Sequence, residues 1–237
     1  MTWSIPNGYS YTTYADMLAC NHLLIAGCSG SGKSVCIRAI LREIMQGYAP
    51  CQKQIILLDP KRVDFNEFKN IPHMIKYAND YTEMIKSLEL AINTMEKRYK
   101  YMERNNLKLY TGSDIYVIID EYADLRDVGG KDVENMVIRL CQLARAARIH
   151  VIIGTQRAVS CVSTRIRANL DYRIALHTIN KKESVNIIDM PGAEELPYNG
   201  YGIYQSPRGY KKIQLPYVDT SETDKLIRWW TSPLCKR

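Results

Sequence analysis

The stretch Gly27-Cys28-Ser29-Gly30-Ser31-Gly32-Lys33-Ser34 fits G-x-x-x-x-G-K-[ST] and lies between an apolar run, His22–Gly27, and a helical pattern over Lys33–Gln46. At this spacing these residue types do one kind of chemistry. Glycines let the backbone curl until successive N–H groups face a phosphate, and the helix that follows adds the positive end of its dipole. Lys33 is placed to reach β- and γ-phosphates, the Ser34 hydroxyl to ligate Mg²⁺, and the nucleotide-binding set runs on to Val35. A Gly/Ser loop can arise by chance, but the strand–loop–helix setting argues for an ATP-type site.

A second set is "YVIIDEYADL", in which four apolar residues deliver Asp120 and Glu121 to the end of a strand. A parallel sheet opens its crevice there. Asp120 is expected to hold Mg²⁺ through water, and Glu121 to polarise an attacking water as general base. An acidic pair after a strand can also be a solvated strand end. Paired with the glycine-rich loop it reads as a hydrolytic site, because binding alone needs no second carboxylate.

The third set is "LCQLARAARIHVIIGTQR", Leu140 to Arg157. Gln156 ends the strand expected beside the one carrying Asp120, so its amide can sense a γ-phosphate or orient the water. Arg145 lies at the far end of the preceding helix, too remote to serve its own site. It reads as a cation supplied to a neighbouring subunit, to stabilise charge developing on the γ-phosphate. Capping a helix C-terminus, worth under ~1 kcal/mol, is the alternative for Arg145 and the better reading for Arg148.

Positioning these groups takes a sheet. Apolar runs over His22–Gly27, Gln54–Asp59, Ile115–Asp120, Ile149–Thr155 and Tyr172–Thr178 alternate with helical patterns near residues 33–46, 80–105 and 131–147. Strands this apolar are buried on both faces, which implies a mostly parallel α/β sheet with helices on each side. "GIYQSPRGYKKIQLP" has the alternation and Pro/Gly turn of an edge hairpin. With 237 residues, no repeat and no low-complexity linker, one domain is expected over 1–237: a lead-in over 1–21, a core over 22–204, then the hairpin and a C-terminal helix over 205–237.

Composition narrows the classes further. At 46% hydrophobic and 24% charged the chain reads as a soluble globular protein, and no apolar run approaches the ~20 residues of a membrane span. The first residues lack a basic and an apolar region, so no signal peptide is expected. Seven cysteines, odd in number and never C-x-x-C, point to a reduced, cytoplasmic chain rather than a disulfide scaffold or zinc site. A net charge of +7 is compatible with a polyanionic partner.

"HLLIAGCSGSGKS", "LLDPKRVDF", "IPHMI", "MEKRYKYM", "IIDEYADL", "LARAARIHVIIGTQR" and "PGAEEL", in that order from His22 to Tyr204, together resemble the motor domain of the FtsK/SpoIIIE family of double-stranded DNA translocases. The resemblance implies a RecA-like P-loop NTPase fold, use of ATP and Mg²⁺, assembly into a homo-oligomeric ring (usually hexameric), and pumping of DNA through its channel. It also assigns the trans arginine to Arg145, and channel-facing DNA contacts to Arg167 and Lys181. For "NKK" around Lys181 a solvated turn remains the alternative. The chain departs from the family at Arg148, where the family has Gly, at Ala158, where it has Pro, and at Val185, where it has a basic residue. The family's membrane helices, linker and C-terminal winged helix have no counterpart. A role in a mobile element, plasmid or virus is therefore expected over cell division, with a membrane or relaxase-type partner; an ATPase of type VII-like protein secretion is the alternative.

Overall fold

The computed structural model describes residues 10–11, 17–215 and 218–232. The expectation of no signal peptide rests mostly on residues outside that set, as do most of the lead-in and Cys235. Among the described residues nine strands make one sheet: β1 (Ser10–Tyr11), β2 (His22–Ala26), β3 (Lys53–Leu58), β4 (Met74–Ala78), β5 (Asp114–Ile119), β6 (Ile149–Thr155), β7 (Tyr172–Leu176), β8 (Tyr201–Ser206) and β9 (Gly209–Gln214). They lie side by side in the order β1-β9-β8-β7-β2-β6-β5-β3-β4. Every pairing from β7 across to β4 is parallel, whereas β8 runs antiparallel to both β7 and β9. The helices are α1 (Lys33–Gly47), α2 (Tyr81–Arg104), α3 (Tyr122–Leu143), α4 (Ala158–Cys161), α5 (Thr164–Arg167), α6 (Lys181–Ile188) and α7 (Thr220–Thr231).

Side chains alternate between the faces of a strand, and here both faces are covered. Leu24, Ile56, Leu58, Val117 and Ile119 pack with Met84 and Leu88 of α2 and Val137 of α3. Leu23, Ile25, Ile55, Leu57 and Ile118 meet Ile37, Ile40 and Leu41 of α1, together with Phe65. Burying each Leu or Ile is worth roughly 1.5–3 kcal/mol, so these two layers fix which way every strand faces. Four neighbouring strands, β2, β6, β5 and β3, consequently end together, and the polar residues just past their carboxyl ends share one crevice.

The structure changes several boundaries. The helix expected over 131–147 begins at Tyr122, breaks at Gly130 (φ 56°, ψ −138°) and ends at Leu143. Gly129 and Gly130 are poor helix formers and interrupt the helical pattern, and fully buried Ala144 and Ala147 in the following turn mimicked helical spacing. Strand β4 was hidden by its polar interruptions, since an edge strand is only half covered. The expected hairpin forms, but β1 pairs with β9, so it does not end the sheet.

Candidate nucleotide site

The loop after β2 is shaped by its glycines. Gly30 and Gly32 take φ of 77° and 108°, in the left-handed region that glycine enters without strain. A Cβ on Gly27 would lie 2.7 Å from Ser31 Oγ and 2.8 Å from Leu176 Cβ, so the tight first turn admits no side chain. The loop is tied down by Cys28 N–H to the His177 carbonyl (2.9 Å) and Gly200 N–H to the Ser31 carbonyl (3.1 Å). Helices α2, α6 and α7 have side-chain caps from Asp80, Asn180 and Asp219; α1 has none, and no acidic residue in its first turn. Its first N–H groups are left for an anion.

Lys33 is buried and donates to Asp120 Oδ1 at 2.6 Å and to the Asp120 carbonyl at 2.7 Å. Asp120 Oδ2 is buried and has no hydrogen-bond partner among the described residues. An ionised carboxylate oxygen without a donor is costly in a protein interior, and a divalent cation is the group that would satisfy it. The donors present fit Mg²⁺: Ser34 and Asp120 would hold it, and it would neutralise phosphate charge. No three His, Cys, Asp or Glu side chains gather as a metal cage among the described residues.

Glu121 is 3% exposed. Its carboxylate accepts the Thr155 hydroxyl at 2.7 Å and the Gln156 N–H at 3.0 and 3.1 Å. A carboxylate accepts about four hydrogen bonds, so capacity remains for a water. The polar end of β6 is thereby explained. Thr155 and the Gln156 backbone orient Glu121, and Arg157 pairs with Asp124 (3.0 Å) and Asp127 (2.7 Å) of α3. Gly154 lets β6 approach closely, since a Cβ there would lie 2.4 Å from the Asp120 carbonyl oxygen.

One strand over, Asp59 follows β3, accepting the Tyr77 hydroxyl at 2.9 Å and the Arg62 N–H at 3.1 Å. Burial pushes its carboxyl above the usual carboxylate range; those two bonds oppose the shift, and the charges of Asp120 and Asp64 add to it. Asp64 accepts the Ser34 hydroxyl at 3.1 Å. Neither Thr155 nor Asp64 was assigned a role from sequence. The polar trio after an apolar strand pointed toward Thr155; Asp64 gave no local signal.

Lys33, Ser34, Asp120, Glu121 and Gln156 therefore meet at one end of the sheet. Arg145 does not join them. It is exposed in the turn between α3 and β6, at the amino end of β6, and its charge acts on His22 at the amino end of β2. Arg148 is corrected from a helix cap: it lies beyond the end of α3 with φ 53°, and forms a two-pronged ion pair with Asp114 at 2.6 and 3.0 Å. Lys181 opens α6 and is exposed, with Val185 one turn further on and also exposed. Arg167 is turned inward, donating to the Asn186 carbonyl at 2.9 Å and the Thr164 hydroxyl at 3.4 Å, with Asp189 at 3.9 Å.

A mostly parallel sheet with a glycine-rich loop after β2, an open helix N-terminus and an acidic pair at the end of β5, separated from β2 by β6, defines a RecA-like P-loop NTPase. The FtsK/SpoIIIE family model matches residues 5–114 and 108–160, and the chain belongs to that family. DNA translocase FtsK of Chlorobaculum tepidum is 36% identical over 90% of this chain, which spans 30% of that relative's length. The pCW3 conjugation coupling protein TcpA, in its monomer form with ATPγS, shares the fold with a TM-score of 0.78 at 24% identity, over 90% of this chain and 66% of that one. The cytoplasmic domain of the type VII secretion ATPase EccC from Thermomonospora curvata gives 0.74 at 19% identity, over 89% and 28%. Among the described residues no helix is long and apolar enough to cross a membrane.

Proposed function

We propose that this chain is one motor domain that hydrolyses ATP with Mg²⁺ to move double-stranded DNA, assembled head to tail in a ring and serving a mobile element, plasmid or virus in the cytoplasm. The observation that carries the reading is the pairing at the ends of β5 and β6: Asp120 keeps one buried oxygen bare beside Lys33, while Glu121 is oriented by Thr155 and Gln156. The first arrangement awaits a cation and phosphates; the second holds a base over the place where water must attack. Mg²⁺ supplies charge neutralisation there. Lys33 must leave Asp120 to meet phosphate, the open N-terminus of α1 binds the phosphate oxygens, and Gln156 orients the water that Glu121 deprotonates.

DNA as the moved substrate is supported by the DNA translocases among the relatives, with Lys181, Arg167 and the overall +7 charge as the basic groups. The exposed Lys181 is the stronger contact; Arg167 first serves α6, whose Asn186 carbonyl it binds. Arg145 is read as the trans cation because its own site lies at the opposite end of the sheet. ATP turnover with and without duplex DNA, over a range of protein concentration, tests the whole reading. Lys33→Ala should lose ATP binding, whereas Glu121→Gln should keep binding and lose turnover, because only the second removes a group needed in the transition state alone. Absence of duplex affinity and of stimulation, in assembled protein with ATP, would leave the secretion-type ATPase reading in its place.

A further inference from the structure

Asp64 stands on the segment between β3 and the buried Phe65, and its Oδ2 accepts the Ser34 hydroxyl at 3.1 Å. We infer that Asp64 is a ligand of the nucleotide-bound divalent cation, sharing one edge of its coordination octahedron with Ser34. The inference rests on the nucleotide reading proposed above and adds a protein ligand from the loop that follows β3.

Distance is the first argument. Mg²⁺ holds six oxygens at 2.0–2.1 Å in near-ideal octahedral geometry, so neighbouring ligands lie about 3 Å apart. Ser34 Oγ and Asp64 Oδ2 already have that separation. An ion can join them with little movement, once the hydroxyl proton turns away from the carboxylate.

Charge is the second. Among the described residues Ser34 is the only side-chain partner of Asp64, and the nearby cations are committed elsewhere. Lys33 binds Asp120 Oδ1, and Arg38 pairs with Glu67 at 2.6 Å while its other nitrogen binds the Asp64 carbonyl at 2.6 Å. Asp59 has a donor on each oxygen, Arg62 N–H on Oδ1 and the Tyr77 hydroxyl on Oδ2. What remains is the free capacity of Asp64 together with Asp120 Oδ2, which is buried without a partner in a residue of 0% exposure. The two lie past the ends of paired strands, where the Asp120 N–H bonds the Leu58 carbonyl at 3.0 Å. Two carboxylates plus substrate phosphate are the usual protein share of a Mg²⁺ site.

Rigidity is the third. Phe65 and Phe68 are fully buried, Arg62 holds a left-handed turn at φ 64° with its Nε on the Asn79 carbonyl, and Arg38 of α1 grips the Asp64 backbone. The backbone that carries the carboxylate is thus fixed beside the first turn of α1, where Ser34 meets it.

Titration of a fluorescent ATP analogue in Mg²⁺ and in EDTA tests this. Asp64→Asn keeps the shape and the hydrogen bond but loses the charge. It should match wild type in EDTA and bind on the order of tenfold more weakly in Mg²⁺. Asp64→Cys should be weak in Mg²⁺ and recover in Cd²⁺, relative to wild type in the same ion, because a thiolate prefers the softer metal. Equal or tighter binding by Asp64→Asn in Mg²⁺ would overturn the inference, leaving Asp64 as a partner for Ser34 in the empty site only. An equal loss in EDTA would overturn it as well, since the effect would not be ionic. Ser34→Ala and Asp120→Asn serve as controls: if neither loses affinity that depends on Mg²⁺, the nucleotide–metal reading itself fails.

Discussion

Gly154 shows how narrowly the proposed catalytic residues are seated. A methyl group there would meet the Asp120 carbonyl oxygen at 2.4 Å, and that oxygen belongs to backbone, which cannot swing aside as a side chain would. Gly154→Ala should therefore push Asp120 and Glu121 out of register. The expected outcome is at least tenfold slower ATP turnover and a loss of about 1–3 kcal/mol in urea unfolding, the usual size for an overpacked core. Unchanged turnover would mean that the acidic pair tolerates displacement. Lys33, Ser34, Asp120 and Glu121 were readable from sequence because each follows its own strand within a residue or a short loop. Thr155 and Asp64 were not, because their roles arise only when strands distant in the chain end side by side.

Elements, rather than single residues, fix where the remaining cations point. The turn carrying Arg145 is held from several directions. Buried Arg98 of α2 donates to the Ala147 carbonyl at 2.7 Å and to the Arg148 carbonyl at 3.2 Å, and the Tyr110 N–H binds the Ala146 carbonyl at 2.9 Å. Arg148 pairs with Asp114 of β5. Such bracing would suit the role proposed for Arg145, a cation that meets a neighbour's phosphate. Arg145→Ala should bind ATP nearly as wild type and hydrolyse it on the order of 10³-fold more slowly. Mixing it with Lys33→Ala subunits should restore part of the activity, and no recovery in rings shown to be mixed would return Arg145 to a capping role. At α6, Lys181 and Val185 lie four residues apart on one exposed face. Lys181→Ala should flatten the slope of log K against log[salt] for duplex DNA, and Val185→Arg should steepen it, by about 0.9 for every phosphate that the side chain neutralises. Equal slopes for all three proteins would take α6 out of the DNA contact. The five expected strands were legible because unbroken apolar runs have few other homes. Strand β4 and helix α6 were not, because one is a half-covered edge and the other is short and polar at its start.

Across the whole molecule, the amino ends of the central strands gather a buried charge cluster opposite the nucleotide site. His22 Nδ1 accepts the Val151 N–H at 3.1 Å, which favours the neutral ring. Burial, then the charges of His150 and Arg145, lower its pKa to about 3. Burial works to raise the Asp114 carboxyl, but bonds from His150 and Arg148 and the charges of Lys53 and His150 hold it well below the carboxylate range. Both groups have depressed folded pKa values, so the stability they give is present at neutral pH and is lost on acidification. For His22 the unfolded chain alone takes up the proton between about pH 6.5 and 3, at roughly 1.4 kcal/mol per pH unit. Urea midpoints should fall steadily from pH 6.5 to 4.5, and His22→Asn, which keeps an acceptor for Val151, should flatten that fall; a parallel decline in the variant would remove His22 as its source. The parallel run of strands has one more consequence. With the phosphate cradle at one end and Arg145 at the other, the proposed head-to-tail assembly would leave one cradle idle at the tip of any open line, so that n subunits would work at n − 1 sites and only closure would set the last one turning.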